Sequence, residues 1–310
     1  MIYRLIILFV VAMVFSVPAM AQKKKRPAVS QDVLDVYEAH SFEGVSYRLM
    51  KPIDLGNNAD KAYPLILSLH GAGGKGKDNI RNLRNWNGYL ADEQLRRKHP
   101  CFVVAPQSAG SWRVQGSGDH LSEDHIKGLS PAWRKLVARK RKGNAQPTAG
   151  NLGKVFKLLD SLTEEFNIDP DRIYVLGHSM GGFGTWTALG EAPSRFAAAI
   201  PTAGGLKPVY DVKTFSHVPI WTFHGSADTT VSPDLTREAF ERLKAVQGNI
   251  KYTELNAVGH GANSIGLNFT GDDPAKGYVT KYGSDQCDRT EDIWDWLFAK
   301  SRVQPRESQG

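Results

Sequence analysis

Cysteine is nearly absent: two residues in 310. That excludes a disulfide-stapled scaffold and any metal cluster built on thiolates. Long apolar runs are also missing beyond the first 21 residues, and with 23% charged residues and mean hydropathy −0.36 this excludes a polytopic membrane protein. No phosphate-cradling G-x-x-x-x-G-K-[ST] loop occurs, because Gly76-Lys77 is followed by Asp78. A 41% apolar content is too high for a wholly disordered chain, and the length suffices to bury a large core.

The net charge of +7 and pI near 9.3 invite a nucleic-acid reading. The charge is local, however. Arg4, the run Lys23-Lys24-Lys25-Arg26 and the acid-free stretch Arg134 to Lys142 hold more than the whole excess, so the remainder is mildly acidic. A basic footprint on the fold itself is therefore absent, and no nucleic-acid partner is expected.

Residues 1–21 have the layout of a secretory signal. Arg4 gives the positive start, Leu5 to Phe15 the apolar stretch, Pro18 the break and Ala19-Met20-Ala21 a small-x-small cleavage site before Gln22. The apolar run is too short for a comfortable membrane span, so stable insertion after cleavage is not expected. Export to the periplasm or the medium follows, and Lys23 to Pro27 becomes a solvated tail. In an oxidising compartment Cys101 and Cys287 admit either a disulfide or two buried thiols.

Further along, short apolar runs alternate with amphipathic helices. Strands are expected at Ser46–Met50, Pro64–Leu69, Phe102–Ala105, Arg172–Leu176, Ala197–Ile200, Val218–Phe223 and Lys251–Leu255. Leu152, Val155, Phe156, Leu159, Leu162 and Phe166 make one helical face, Ser232-Pro233 opens a second helix, and Glu291 to Lys300 forms a third. This alternation implies a doubly wound, mostly parallel sheet flanked by helices. The stretch Ser108 to Gly150 breaks it and reads as a long excursion at a strand's carboxyl end, with a basic insert at about 122–146. The expected layout is a signal at 1–21, a basic tail and linker at 22–40, a catalytic domain at 41–300 and a flexible tail at 301–310.

Gly177-His178-Ser179-Met180-Gly181 is a G-x-S-x-G match lying between the strand ending at Leu176 and the helix beginning near Phe183. The pattern alone is weak; that placement makes it a nucleophile elbow, in which small residues let a sharp turn lift Ser179 above the sheet. A serine hydroxyl needs a base, and the base needs an orienting acid, in the chain order Ser, Asp, His. Asp228 follows the strand Trp221-Thr222-Phe223 and a tight turn, and His260 follows Lys251–Leu255 on a glycine-flanked loop. Asp234 competes for the acid's place. His178 is too close to Ser179 to reach its hydroxyl, and His70 and His224 read as loop braces. Two backbone amides are needed for the oxyanion: Met180, and Ala72 or its neighbour Gly71 in the loop His70-Gly71-Ala72-Gly73-Gly74. Gln107, Trp112 and Trp186 are candidates for the substrate wall, with burial in the core as the competing fate of the tryptophans. Asp119, His120, Glu123, Asp124 and His125 match no metal-ligand spacing and read as a solvated polar loop, so no metal site is assigned.

On Leu69 to Gly74, Cys101 to Gln107, Asp169 to Val175 with the elbow, His224-Gly225-Ser226-Ala227-Asp228 and Gly259-His260-Gly261, the chain resembles the α/β-hydrolase superfamily. It is most similar to the secreted phospholipase/carboxylesterase-like, dienelactone-hydrolase-like and feruloyl/acetyl-xylan-esterase-like branch, part of which is labelled predicted peptidase. The resemblance spans roughly Tyr47 to Lys300 and implies the triad Ser179, Asp228 and His260. It leaves the insert without a counterpart. The activity expected is that of a serine carboxylic-ester hydrolase without cofactor, acting on polysaccharide or phenolic esters. A peptidase of the prolyl-oligopeptidase type would use the same triad, although that family normally carries a gating domain for which this chain has no room. A non-catalytic binding protein on the same fold would not need all three residues. The insert starts on the side where the site must lie, so it reads either as a rim of the pocket that favours acidic or polyanionic substrates or as a solvated basic helix or loop without contact to substrate.

Overall fold

The computed structural model describes residues 29–57, 60–114, 126–142 and 151–302. The expected signal, the Lys23–Arg26 run and the Asp119–His125 stretch lie outside them, as do most of the last ten residues.

Nine strands form one sheet: β1 (Tyr37–Phe42), β2 (Val45–Met50), β3 (Tyr63–Leu69), β4 (Phe102–Pro106), β5 (Ile168–His178), β6 (Ala198–Thr202), β7 (Ile220–Gly225), β8 (Ile250–Leu255) and β9 (Tyr278–Tyr282). Their order across the sheet is β1-β2-β4-β3-β5-β6-β7-β8-β9. The six from β4 to β8 run parallel, and β1, β2 and β9 add antiparallel pairs at the two edges. The fold class read from the sequence is the one observed.

The period of two assigns each central strand to two cores. Leu65, Leu67 and Leu69 of β3, Phe102 and Val104 of β4, and Val175 of β5 join one cluster. Ile66, Val103, Ala105, Tyr174 and Leu176 join the other. Nine helices flank the sheet: α1 (Gln31–Val36), α2 (Asn87–Leu90), α3 (Glu93–Lys98), α4 (Pro131–Lys142), α5 (Leu152–Glu165), α6 (Met180–Glu191), α7 (Asp234–Lys244), α8 (Ala262–Gly266) and α9 (Ile293–Phe298), counted among the described residues. The apolar face of α5 fills the first cluster through Leu152, Val155, Leu158, Leu159 and Leu162. The second is closed by Trp86 from beside α2 and by Ile293, Trp294, Trp296 and Leu297 of α9.

One expectation changes, and one open alternative is decided. The sheet begins at Tyr37, so part of the 22–40 linker is structured: α1 leads directly into β1. β1 is an edge strand with only Tyr37 buried, and its polar composition hides it in the sequence. Glu43 and Gly44, both at positive φ (45° and 77°), make the two-residue turn to β2. Cys101 and Cys287 are free, buried thiols rather than a disulfide. Cys101 packs in the second cluster, where burial pushes its pKa up to about 12, and Cys287 Sγ lies 3.3 Å from the Ile250 carbonyl oxygen.

Candidate active site

β5 runs beneath the middle of the sheet's carboxyl edge and ends in the elbow. Ser179 sits at φ 58°, ψ −116°, a conformation costly for a residue with a Cβ, and α6 starts at the next residue. The turn is closed by the Ser179 amide, which donates to the Thr202 carbonyl (2.9 Å). Gly181 has to be glycine: a Cβ there would overlap the Leu69 carbonyl oxygen of the neighbouring strand.

Asp228 and His260 arrive from the ends of β7 and β8. The Ser179 hydroxyl donates to His260 Nε2 (2.8 Å), and His260 Nδ1 donates to Asp228 Oδ2 (2.7 Å). The Asp228 carboxylate is fully buried. Its Oδ1 accepts from the amides of Thr230 (2.8 Å) and Val231 (3.0 Å), and its Oδ2 accepts a second bond from His224 Nε2 (3.2 Å). Burial works to raise its pKa, but the two histidines and two amides outweigh it and hold the group well below the usual carboxylate range. Asp234 is elsewhere: it is exposed at the start of α7 and pairs with Arg237.

The three other histidines weighed in the sequence, His70, His178 and His224, have structural partners. His178 packs its ring 4.8 Å from that of His260, and burial together with its histidine neighbour lowers its pKa to about 3. His70 donates from Nδ1 to the Gly71 carbonyl (2.8 Å) and accepts the Ser108 amide at Nε2 (2.9 Å). Its burial lowers its pKa to about 4. His224 braces a loop as read, yet its bond to Asp228 gives no sign in the sequence beyond the four-residue spacing.

Ala72 and Gly71 line the same cavity as Ser179 and His260. A tight turn over Ala72–Gly74 commits the Gly74 and Lys75 amides to the carbonyls of Gly71 and Ala72. Met180 stands at the first position of α6, where helix amides have no partner within the helix.

The candidate substrate wall is corrected. Gln107, Trp112 and Trp186 are buried, and none lines the cavity. Gln107 donates to the Gly74 carbonyl (2.9 Å) and accepts the Asn79 amide (2.6 Å), and Trp112 Nε1 donates to the His70 carbonyl (2.9 Å). Both therefore hold the Ala72 turn from behind. Trp186 faces the core between α6 and the sheet. The cavity, about 790 Å³, is instead walled by Val29, Ser30 and Val33 at α1, by Leu83, Arg84 and Asn85, and by Asn263 and Ser264 of α8. Within the basic insert, Leu129 and, on α4, Trp133 and Leu136 pack with Val231 and Leu235. Arg139 donates to the carbonyl of Thr230, a cavity residue, so α4 stands beside the pocket.

Sheet order and elbow together define the α/β-hydrolase fold. Residues 128–217 match the prolyl oligopeptidase family. A solved thermostable esterase superposes with TM-score 0.62 at 32% identity, over 87% of this chain and 64% of that one. The bifunctional acetylxylan esterase/xylanase of Neocallimastix patriciarum is 26% identical over 200 residues, 63% of this chain and 23% of its own length. Poly(3-hydroxyalkanoate) depolymerase C of Paucimonas lemoignei is 25% identical over 216 residues, 60% of this chain and 45% of its own. The chain thus spans less than half of either curated relative. Among the described residues no helix is long and apolar enough to cross a membrane, and no group of metal-ligating side chains occurs.

Proposed function

We propose that the protein is an exported serine carboxylic-ester hydrolase. Ser179 Oγ attacks the ester carbonyl carbon while His260 Nε2 takes the hydroxyl proton. Asp228 keeps Nδ1 protonated and stabilises the imidazolium that forms. The amides of Met180 and Ala72 receive the oxyanion. His260 then delivers its proton to the departing alkoxide, leaving an acyl-Ser179 ester, and afterwards deprotonates the water that releases the acid. Two acyl transfers of this kind need neither metal nor organic cofactor.

The observation that carries the reading is the unbroken run from Ser179 through His260 to Asp228, at 2.8 and 2.7 Å, opening on a cavity. The acetylxylan esterase and depolymerase relatives are consistent with ester chemistry, and polysaccharide-linked or phenolic esters are the substrates we favour, with α4 as part of the rim that selects them. Residues 1–21 support export. Ser179→Ala should lower kcat/KM for 4-nitrophenyl acetate by about 10⁴-fold or more at unchanged circular dichroism. Activity within tenfold of the wild type would remove Ser179 as nucleophile.

The match to the prolyl oligopeptidase family favours a second reading, a peptidase using the same three residues. Turnover of a proline-linked peptide anilide faster than of acetylated xylan, methyl ferulate and a nitrophenyl-ester series would establish it.

A further inference from the structure

The cavity beside Ser179 carries one permanent charge, and no carboxylate among the described residues neutralises it. Arg84 lines the cavity, and the lining holds no carboxylate. Among the described residues no aspartate or glutamate pairs with it. Its Nε is shut away from solvent without an acceptor, and its one hydrogen bond among the described residues, from Nη1 to the Gly73 carbonyl, is long at 3.4 Å. A guanidinium has five N–H donors in a planar fork shaped for a carboxylate. The buried Nε is costly to leave unmatched, and a ligand carboxylate would supply acceptors to the fork that faces the cavity. Arg195 forks onto Asp160, and Arg237 onto Glu254 and Asp234. Arg96 Nε is also buried without an acceptor, but Arg96 does not line the cavity, so Arg84 is the arginine whose unmatched donor lies at the site. Around Arg84 the wall adds neutral polar side chains, Ser30, Asn85, Asn263 and Ser264, and no second cation.

We propose that Arg84 is a specificity-determining residue that binds a carboxylate on the substrate, so that the site takes anionic esters in preference to neutral ones. The proposal rests on the ester-hydrolase reading for its reaction and on the unmatched guanidinium for its selectivity. Arg84 is joined to the Ala72 turn through Gly73, which places the carboxylate near the scissile bond, on the acid or on the alcohol portion.

Two pairs of esters separate these sources. The acid arm compares mono-4-nitrophenyl adipate with its methyl ester; the alcohol arm compares 4-acetoxybenzoate with methyl 4-acetoxybenzoate. In one pair the wild type should prefer the anion, and Arg84→Met should collapse the anion-to-neutral ratio of kcat/KM by about ten- to hundredfold, the scale of one or two charge-assisted bonds. Arg84→Lys should keep part of the preference, because it keeps the charge and loses the fork. A ratio that is the same in wild type and Arg84→Met for both pairs overturns the proposal, including the case in which both members fall together because Arg84 merely braces the turn. The same four compounds titrated onto Ser179→Ala by calorimetry give the selectivity without turnover. Arg84-dependent binding of an anion by a protein that hydrolyses none of the four would refute the esterase reading and keep the carboxylate site.

Discussion

Replacing Asp228 by asparagine changes almost no volume and removes one negative charge, so its effect reports on hydrogen bonding and charge rather than on packing. The carboxylate accepts four bonds: the amides of Thr230 and Val231 on Oδ1, and His260 and His224 on Oδ2. Asparagine offers one carbonyl oxygen and one NH₂. Turned with its NH₂ toward the two backbone amides, it would leave both buried donors unmatched, at about 1–3 kcal/mol each. The carbonyl oxygen therefore stays with the amides and the NH₂ faces the histidines. His224 keeps an acceptor in the Val231 carbonyl at 3.1 Å. His260 has none and must present a lone pair at Nδ1, which puts its proton on Nε2 facing Ser179. The base is then in the wrong tautomer, a change that costs on the order of 10⁴ in kcat, or about 5.5 kcal/mol of barrier. The assay is kcat/KM for 4-nitrophenyl acetate beside a thermal melt showing a folded protein. Asp234→Asn is the control and should retain activity within about twofold, since it alters an exposed pair with Arg237. A loss under tenfold in Asp228→Asn, or a larger loss in Asp234→Asn, would refute the reasoning.

Gly181→Ala should yield little folded protein, because its Cβ meets the Leu69 backbone, which cannot yield as a side chain would; a melt within about 2 °C of the wild type would contradict this. Stability should also depend on Lys251, which is 1% exposed and whose pKa burial and the nearby Lys300 lower to about 7. The unfolded chain binds this proton up to the ordinary lysine range, so between pH 7 and about 10 the unfolded state holds more protons and stability rises with pH. Urea melts of Lys251→Met across that window should lose this rise; a parallel rise in both proteins would exclude the lysine as its source.

The central strands β3 to β8 were legible because both faces are buried, which makes each a short apolar run ended by glycine or proline. β1 and β9 were not: each is an edge strand with a single buried residue, Tyr37 or Thr280, and so looks like a polar loop. The run Ser179, Asp228, His260 could be read because each residue follows a strand in a fixed chain order. The pocket wall could not, because Val33, Arg84 and Asn263 meet only through the tertiary fold and share no local pattern. Trp112 and Trp186 misled for a related reason. An aromatic residue near a strand end has two possible sides to face, and that choice is made by the packing of α6 and the Ala72 turn.

The helix α1 stands in a different relation to the site from the strands. It has no fully buried residue of its own and reaches the rest of the protein through Val33, Leu34 and Val36, yet Val29, Ser30 and Val33 form part of the cavity wall. Reactive groups are anchored at the middle of the sheet, while one face of the vessel around them is hung on its outermost turn. Reactivity and selectivity are therefore inherited separately. Substitutions in the eight residues before Tyr37 can reshape the vessel while leaving Ser179 in place, and under the proposed function this is the part on which a new substrate range would be selected first.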